Sequence, residues 1–593
     1  MERNQIAQMH QWNLQEIFTD DEAWESEFSA LQANCSFTQY KGKLSEKTVL
    51  LDFFQKDADF SLRAEKLYLY ASMRHDEDVR VDKYLSYLSQ IQLLFTEYAS
   101  QISFFEPELL SLPEATLQAW IKDEDFKDYD YFLRRMLEQK SHVLSENEEK
   151  ILALASQPLG GFHDVFSMLD NADLPLPMVK FNGEKTQLTH ATYGLIMHSG
   201  TRKERKACFQ AYYKAYESLL NTITATYTGN VQKDVFYKTA RGYESCLAMA
   251  LFGEDVPPAV YNRLIQSVHK ALPALHKYIR IRKDILKLKQ QHMYDLSLPL
   301  VEEADVKLPY EEAYQKVVEG LAPLGEEYQA LLRRAYNERW IDVYENTGKR
   351  SGAYSTGVYG THPYVLLNYQ PTTHELFTIA HEMGHSIHTY FSNAAQPYAK
   401  SSYTIFLAEI ASTVNEVLLL KYMYKTTQDT KLKKFLLNYY IDMFRTTLFR
   451  QTQFSEFEEI VHQKAEQGQP LTKELLCDTY HALNKRYYGR GITHDREISY
   501  EWARIPHFYR SFYVYKYATG IISAVSIVKR IESEGTPAVQ DYFNFLRSGN
   551  KTCPVDILKQ AGVDLTTPQP FDTAMEEFKN TLAEFEALTK EEK

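Results

Sequence analysis

The sequence predicts a mainly α-helical protein that contains only a few short strands. At several places a Ser or Thr is followed three residues later by Glu, just before apolar residues at three- and four-residue spacing, which is typical of a helix start. Strand patterns are confined to residues 179–189 and 351–371. The most apolar segments, at 417–424 and 518–528, are too short to span a bilayer, so we expect no membrane-embedded fold.

Length and composition indicate a folded protein with more than one core. The chain has 593 residues, which exceeds what one hydrophobic core usually serves, so two or more lobes are expected. Hydrophobic residues make up 44% and charged residues 24% of the chain, as in soluble globular proteins. We place a boundary near residue 200, with an N-terminal helical lobe at 1–200 and a catalytic domain at 201–593.

Charge and cysteine content exclude several function classes. A formal net charge of −13 without a basic stripe argues against nucleic-acid binding. The short basic run at 201–206 is better explained as the solvated first turns of a helix. The N-terminal residues lack the apolar core of a secretory signal. The five cysteines form no CxxC pair, so we expect reduced thiols in a cytoplasmic protein.

Helix starts are predicted at four positions along the chain. Each pairs an N-cap hydroxyl with a Glu three residues later: Thr19 with Glu22, Ser145 with Glu148, Thr201 with Glu204, and Thr372 with Glu375. Gly160 and Gly161 are expected to end the second of these helices. Apolar residues at three- and four-residue spacing predict further helix between residues 309 and 343.

The two strand-like stretches predict different structures. In residues 179–189 the pair Asn182-Gly183 separates two alternating segments, which predicts a β-hairpin. Residues 351–371 are rich in Gly, Tyr and β-formers, which predicts strand and loop. This second stretch lies shortly before the ten residues IAHEMGHSIH, 379–388.

The stretch IAHEMGHSIH has the residue types of a metal-binding helix. At about 100° per residue, His385 lies about 40° around the helix from His381, so both imidazoles project from one face. Two neutral imidazoles suit Zn²⁺, and the intervening Glu382 can act as general base. Gly384 leaves room for a neighbouring element. A separate apolar face that can anchor the helix is formed by Leu376, Ile379, Met383, Ile387 and Tyr390.

A catalytic metal site needs a third protein ligand, and the residues leave two candidates. A second long helix is predicted at 403–425, with a polar face formed by Glu409, Ser412, Thr413 and Glu416. A carboxylate on this face can complete the site, and it equally fits a surface or ion-paired Glu. His388 lies about 20° from His381 on the same helix face, but roughly 10 Å along the axis, which is far for one shared ion.

Four motifs in order give the chain a family resemblance. They are GAYSTGVYGTHPYVLLNY, HEMGHSIH, AEIASTVNE and, at 502–520, WARIPHFYRSFYVYKYATG. With these motifs the chain resembles oligoendopeptidase F, of the thimet-oligopeptidase-like zinc metallopeptidases, over nearly its whole length. The resemblance implies two helical lobes that enclose a deep substrate channel, a small β-sheet beside the HEMGH helix, and one Zn²⁺ per chain.

The resemblance also implies roles for individual residues. The implied zinc ligands are His381, His385 and Glu409, and the implied general base is Glu382. Glu416 would be a hydrogen-bond acceptor that holds one of the ligands in place. His388 is then a supporting or substrate-side residue, and it stays the alternative third ligand.

Aromatic residues after 506 supply candidate donors to the oxyanion that forms when a peptide carbonyl is attacked. By resemblance, His507 and at least one of Tyr513 and Tyr517 act there. When this stretch is aligned with the thimet branch without a gap, the tyrosine positions of that branch fall on Phe512 and Lys516. A one-residue shift of the alignment places them on Tyr513 and Tyr517. Most tyrosines of this stretch also fit a packed aromatic helix.

Other residues are candidates for substrate binding. The Gly- and Tyr-rich stretch before the HEMGH helix can offer an edge strand to an extended peptide. The candidates are Tyr354, Tyr359, His362 and Tyr509.

Together these observations predict a zinc endopeptidase that cleaves short oligopeptides, with no nucleic-acid, membrane or obligate protein partner. The nearest alternative is a dipeptidyl carboxypeptidase, although EIASTVNE and GTHPYVLLNY favour oligoendopeptidase F. An alternative from another class is a helical peptide-binding protein with an inert HEMGH, which predicts no stoichiometric zinc. Cobalt or manganese can occupy similar ligands.

Overall fold

The computed structural model describes residues 1–301 and 307–590, and most of these residues are helical. In chain order the helices are α1 (Asp21–Ala33), α2 (Lys47–Glu77), α3 (Asp82–Gln101), α4 (Phe105–Ser111), α5 (Glu114–Ile121), α6 (Asp130–Gln139), α7 (Glu146–Met168), α8 (His190–Ser199), α9 (Arg202–Ala240), α10 (Cys246–Gly253), α11 (Pro258–Ile285), α12 (Tyr310–Gly320), α13 (Glu326–Asn337), α14 (Thr373–Ala395), α15 (Tyr398–Ser401), α16 (Ile405–Thr426), α17 (Thr430–Met443), α18 (Arg450–Glu466), α19 (Lys473–Tyr488), α20 (Tyr515–Glu534), α21 (Thr536–Leu546), α22 (Pro554–Gln560) and α23 (Gln569–Lys590). The strands are β1 (Met178–Phe181), β2 (Glu184–Gln187), β3 (Ile341–Asp342), β4 (Tyr354–Thr356) and β5 (Tyr364–Leu366). The prediction of a mainly helical fold with a small sheet is confirmed.

Three of the four predicted helix starts are confirmed. The N-caps of α7, α9 and α14 are Ser145, Thr201 and Thr372. The first start is wrong by one residue, because the carboxylate of Asp20 accepts the hydrogen bond from the Ala23 backbone at 2.8 Å and caps α1 in place of Thr19.

The predicted end of the second helix at two glycines is also wrong. Helix α7 continues through Gly160 and Gly161 to Met168. Packing of α7 along α9 outweighs the roughly 1 kcal/mol that each glycine costs in a helix interior. The hairpin is confirmed: β1 and β2 pair antiparallel, and Asn182 and Gly183 both have positive φ at the turn, as a type I′ turn requires.

The chain divides into two compact units, each assembled from three segments. The first unit consists of Met1–Ser141, Asp305–Lys425 and Ile527–Val563, and the second of His142–Ala304, Thr426–Ser526 and Asp564–Lys593. No single boundary along the chain separates these two units. The boundary near residue 200 stays a prediction.

The first unit contains a three-stranded sheet in the order β3-β5-β4. Strand β5 is buried along its length and pairs parallel with β3 and antiparallel with β4. Its continuous apolar sequence Tyr-Val-Leu suits a central strand that is covered on both faces. Helix α14 packs on β4 and β5, so the sheet lies beside the HEMGH helix.

The second unit is built around the 39-residue helix α9. Helices α7, α8 and α18 pack along α9, and α11 packs on α18, α19 and α23. Large aromatic side chains fill this core, among them the fully buried Tyr212, Tyr227 and Tyr261. Among the helices in the described residues of both units, none is long and apolar enough to cross a membrane.

Candidate metal centre

Helix α14 positions the HEMGH residues by burying its opposite face. Thr372 caps the helix by accepting a hydrogen bond from the Glu375 backbone at 3.3 Å. The predicted apolar residues Leu376, Ile379, Met383 and Ile387 are at most 1% exposed. Because this stripe fixes the rotation of the helix, His381 and His385 are held on the face that remains.

Gly384 lets a second helix come into direct contact with this face. A side chain at position 384 would place its Cβ only 2.6 Å from the Cα of Ser412 and 2.7 Å from the backbone oxygen of Ala411 on α16. No real Cβ contact is that short, so only glycine permits this approach. The amide of Asn415 on α16 also donates to the Ala380 backbone at 3.0 Å. These contacts bring Glu409, near the start of α16, beside the two histidines.

His381, His385 and Glu409 form a group with ligand atoms at metal-site separations. The two Nε2 atoms are 3.2 Å apart, and Glu409 Oε2 lies 3.6 Å from His381 Nε2 and 3.8 Å from His385 Nε2. Atoms bound to one tetrahedral Zn²⁺ at about 2.0–2.1 Å lie roughly 3.4 Å from each other. Two imidazoles and one carboxylate in this arrangement therefore fit a catalytic zinc site.

Both imidazoles are oriented by acceptors on their far side. His381 donates from Nδ1 to Glu416 Oε1 at 2.7 Å, and the ring of His385 donates to the backbone oxygen of Ala408. In the neutral form of each ring, with its proton on the outer nitrogen, Nε2 presents its lone pair to the shared position. Such acceptors commonly orient metal-binding histidines.

The protein groups at the centre shift the histidine pKa values in opposite directions. Burial by itself lowers the pKa of His381, but the hydrogen bond and charge of Glu416 outweigh burial and raise that pKa to about 9. Burial and repulsion from His381 lower the pKa of His385 to about 3. A cation held at Nε2 of His381 would therefore replace a proton there, while the Nδ1 proton would remain in its hydrogen bond to Glu416.

Glu382 lies on the same helix between the two histidines and is 8% exposed. Burial raises the pKa of its carboxyl to about 7, although the charge of His381 opposes this. The Ser355 backbone in β4 donates to this carboxyl. A carboxyl with a pKa near neutrality, held by a fixed donor, can both accept and return a proton at physiological pH.

His388 is not a member of the three-residue group and lies in the helix packing. It is 1% exposed, and its ring stacks on Tyr403 at 3.7 Å between centroids. Burial lowers its pKa to about 3. These contacts give His388 a packing role in α14.

The three upstream substrate-binding candidates have their polar atoms engaged within the first unit. Tyr354 on β4 donates its hydroxyl to Asp76 at 2.8 Å, and Tyr359 donates to the Gln396 backbone at 3.1 Å. His362 is buried, donates to the Pro363 backbone at 2.7 Å and stacks on Trp340. Strand β4 is nevertheless an edge strand of its sheet in the described residues.

In the second unit, residues 506–517, called the tyrosine segment below, bring three of the predicted donors together. Its ring centroids are 6.0 Å apart for His507 and Tyr513, 6.1 Å for His507 and Tyr517, and 5.6 Å for the two tyrosines. Desolvation, then the positive charges of Arg450 and Arg510, lower the pKa of His507. A neutral imidazole and two phenols therefore form one cluster of donors.

The alternative register places its residues in other environments. Phe512 is buried at 3% exposure, and Lys516, 4% exposed, forms an ion pair with Glu254. Tyr513 and Tyr517 are half-buried instead. Tyr509 is buried, its hydroxyl lies 2.8 Å from that of Thr226, and its ring stacks on Phe166.

The sequence did not indicate which residues support the tyrosine segment. Asn230 and Asp234 on α9 and Glu458 on α18 all bond to it. The sequence did contain one signal: the aromatic-rich helix carries polar residues at four-residue spacing, namely Thr226, Asn230 and Asp234. This spacing places the three side chains on one face of the helix. The signal does not say what that face contacts.

Comparisons with known proteins agree on a family. The family model described as peptidase family M3 matches residues 195–577, and one described as oligopeptidase F matches residues 108–175. The chain is 43% identical to Oligopeptidase PepF of Bacillus subtilis (strain 168) over 591 residues, covering 99% of this chain and 88% of that one. It is 41% identical to Group B oligopeptidase PepB of Streptococcus agalactiae over 590 residues, covering 99% and 98%.

Solved structures show the same fold. A crystal structure of oligoendopeptidase-F from Enterococcus faecium has a TM-score of 0.75 and 34% identity, covering 96% of this chain and 99% of that one. A structure from Chlamydophila abortus has a TM-score of 0.93 and 37% identity, covering 99% of each chain.

Proposed function

Because the chain belongs to peptidase family M3, and is by that membership a metalloendopeptidase, we propose that it cleaves internal bonds of short oligopeptides with one Zn²⁺ per chain. The observation that carries this proposal is the group of His381, His385 and Glu409, with mutual separations of 3.2, 3.6 and 3.8 Å. These residues would hold the ion.

A bound zinc ion supplies Lewis-acid chemistry, because it polarises a carbonyl and lowers the pKa of water. Glu382 is the proposed general base: its carboxylate takes the proton of the attacking water and then delivers it to the leaving amine. Burial suits Glu382 to this exchange, because its pKa of about 7 lies near the pH of the reaction.

The tyrosine segment is proposed to supply donors to the developing oxyanion. His507, Tyr513 and Tyr517 face one another, and a neutral donor strengthens as negative charge appears on its partner. The half-buried rings of the two tyrosines, compared with the buried Phe512 and engaged Lys516, support the register with the one-residue shift.

Strand β4 is proposed to bind the substrate backbone. An edge strand can add an extended peptide through main-chain hydrogen bonds, which do not depend on side-chain identity. The Ser355 backbone also contacts the carboxyl of Glu382, so the middle of this strand lies beside the proposed base. We place the enzyme in the cytoplasm, because the five cysteines, all of them free in the structure, suit a reducing compartment.

Metal analysis and peptide cleavage on the purified protein test this proposal. We expect one zinc per chain by mass spectrometry, cleavage of a quenched fluorescent octapeptide, loss of cleavage on chelation and recovery with Zn²⁺. Internal cleavage should persist when the C-terminus of the peptide is blocked; a strict need for a free C-terminus would indicate a dipeptidyl carboxypeptidase. Protein that stays inactive and metal-free after zinc addition would indicate a peptide-binding protein.

Two matched variants identify the third ligand. Glu409→Gln should lose bound zinc, because the amide is a weaker ligand than the carboxylate. His388→Ala should keep it, since the ring of His388 packs on Tyr403. The reverse outcome would transfer the ligand role to His388.

A further inference from the structure

We infer that helices α9 and α18 hold the tyrosine segment through a row of polar side chains, which act as positioning residues for the donors His507, Tyr513 and Tyr517. The row consists of Thr226, Asn230 and Asp234 on α9 and Glu458 on α18. This inference rests on the proposed function, because it gives the row a purpose in turnover.

The α9 residues meet the segment at successive turns. Thr226 lies 2.8 Å from the Tyr509 hydroxyl. One turn later the Asn230 amide donates to the Phe508 backbone oxygen at 3.3 Å and to the Ser511 hydroxyl at 3.4 Å. Residues at four-residue spacing share one helix face, so the row follows the segment along its length.

Asp234 fixes the far end of the row on α9. Its carboxylate accepts a hydrogen bond from the Ser511 hydroxyl at 2.6 Å and is 3.2 Å from Nε2 of His462 on α18. The other ring nitrogen of His462, Nδ1, lies 2.8 Å from the Glu458 backbone oxygen, so this imidazole bridges α9 and α18. Burial raises the pKa of Asp234, but its bond to His462 outweighs this and lowers the pKa. The carboxylate therefore remains a charged acceptor.

Glu458 holds the backbone where the segment changes direction. Phe512 has a φ of +58°, which is unfavourable for a residue other than glycine. Its N–H donates to Glu458 Oε1 at 3.0 Å, and its ring packs against His462 and Tyr261. Burial raises the pKa of Glu458 well above its ordinary value. A fully buried carboxyl acceptor thus stabilises a backbone conformation that directs Phe512 into the core.

The buried position of Phe512 determines where the next residue, Tyr513, points. With Phe512 buried, the half-buried Tyr513 is free to face His507 and Tyr517. Donors to an oxyanion must be fixed before the charge develops, because reorganisation during the reaction removes their advantage. The segment consists of a short helical turn, a loop and the first residues of α20. The turn and the loop are too short to fix themselves, so their fixing draws on the bonds from α9 and α18.

The main test is a double variant, Thr226→Val with Ser511→Ala, which removes two hydroxyls at little change in volume. Hydrogen–deuterium exchange of the peptide covering 505–517 and steady-state cleavage are measured together, with zinc content and melting temperature recorded. We expect exchange to rise about 2- to 10-fold and kcat to fall about 10-fold, with KM changed less than threefold. Thr226→Ser keeps the hydroxyl. Combined with Ser511→Ala, it should give the exchange rate and the kcat of Ser511→Ala alone.

The matched control is Thr228→Val, on the same helix. The hydroxyl of Thr228 donates to the Leu471 backbone and not to the segment, so exchange and kcat should stay at wild-type values. Unchanged exchange in the double variant would overturn the inference, and so would faster exchange with unchanged kcat. Failure of the proposed function is distinct, since it appears as absent cleavage by the zinc-loaded wild type.

A second pair keeps the test independent of α9. Glu458→Gln retains an acceptor for the Phe512 N–H and should behave like wild type. Glu458→Leu removes that acceptor and should give faster exchange and lower kcat at unchanged zinc content. Equal behaviour of the two variants would contradict the role of Glu458.

Discussion

The metal centre and the tyrosine segment are built differently, although we propose that both serve one reaction. At the metal centre every key side chain lies on α14 or α16, within regular helix. The tyrosine segment begins with a short turn and a loop, and the side chains that bond to it include residues of α9 and α18, the former nearly 300 residues earlier in the chain. Helix periodicity fixes the first region, and tertiary contacts fix the second.

This difference teaches which kind of site a sequence can disclose. The metal centre tolerates little change because its geometry depends on helix rotation and one glycine contact. The tyrosine segment depends on many separate hydrogen bonds, each contributing about 0.5–1.5 kcal/mol. We therefore expect all-or-none losses in the first region and graded losses in the second.

The largest expected effect is in the metal centre. Glu382→Gln should lower kcat by about 100- to 10,000-fold, because the proton acceptor is lost while the ligands stay, and zinc content by mass spectrometry should be unchanged. Glu375→Gln, the same change two turns earlier on α14, should leave kcat near wild type. Retained activity in Glu382→Gln would rule out this residue as the base.

The next effect tests the second region. Tyr513→Phe and Tyr517→Phe, measured separately, should lower kcat by about 100-fold for the tyrosine that donates to the oxyanion, with little change in KM. Tyr515→Phe is the control, because that hydroxyl donates to Glu254 at 3.0 Å. If both variants keep full activity, the tyrosine segment takes no part in the chemistry.

A smaller effect is expected when a supporting contact of the metal centre is removed. Glu416→Ala removes the acceptor that orients His381, and zinc affinity should fall about 10- to 100-fold in competition with a chelator. Thr413→Ala, one turn earlier on the same face of α16, should keep its affinity. Equal affinities would mean that helix rotation alone orients the ring.

The smallest effect is the pH dependence. Glu382 must be deprotonated to act as base, so kcat/KM should fall about tenfold per pH unit below its pKa. Burial raises this pKa to about 7, and a nearby cation lowers it, so the acidic limb should lie at or below about pH 7. A limb well above pH 7 would assign it to another group.

The sequence predicted the candidate metal centre because its parts are local. His381 and His385 are one turn apart, and the apolar stripe of α14 predicted which face is buried. The hairpin at Asn182-Gly183 was likewise predictable, since the positive φ of both residues selects the turn. Choosing Glu409 as the third ligand required family resemblance, because α16 approaches α14 through tertiary packing.

Other features had no local signal. Gly160 and Gly161 are typical of a helix end, but contact with α9 carries α7 through them. Thr19 was a plausible cap until the neighbouring Asp20 supplied the bond. The positive φ of Phe512 depends on an acceptor 54 residues away along the chain, so no pattern around position 512 predicts it.

Because of the contact at Gly384, an ion bound at this centre would cross-link two helices. Two of the proposed ligands lie on α14 and one lies on α16, so an ion that binds all three would hold the helices together where their backbones touch. Binding and helix packing are then thermodynamically linked: at a free ion concentration 100 times its Kd, the folded state gains about 2.7 kcal/mol. The melting temperature of the protein should thus follow the supply of metal in its surroundings.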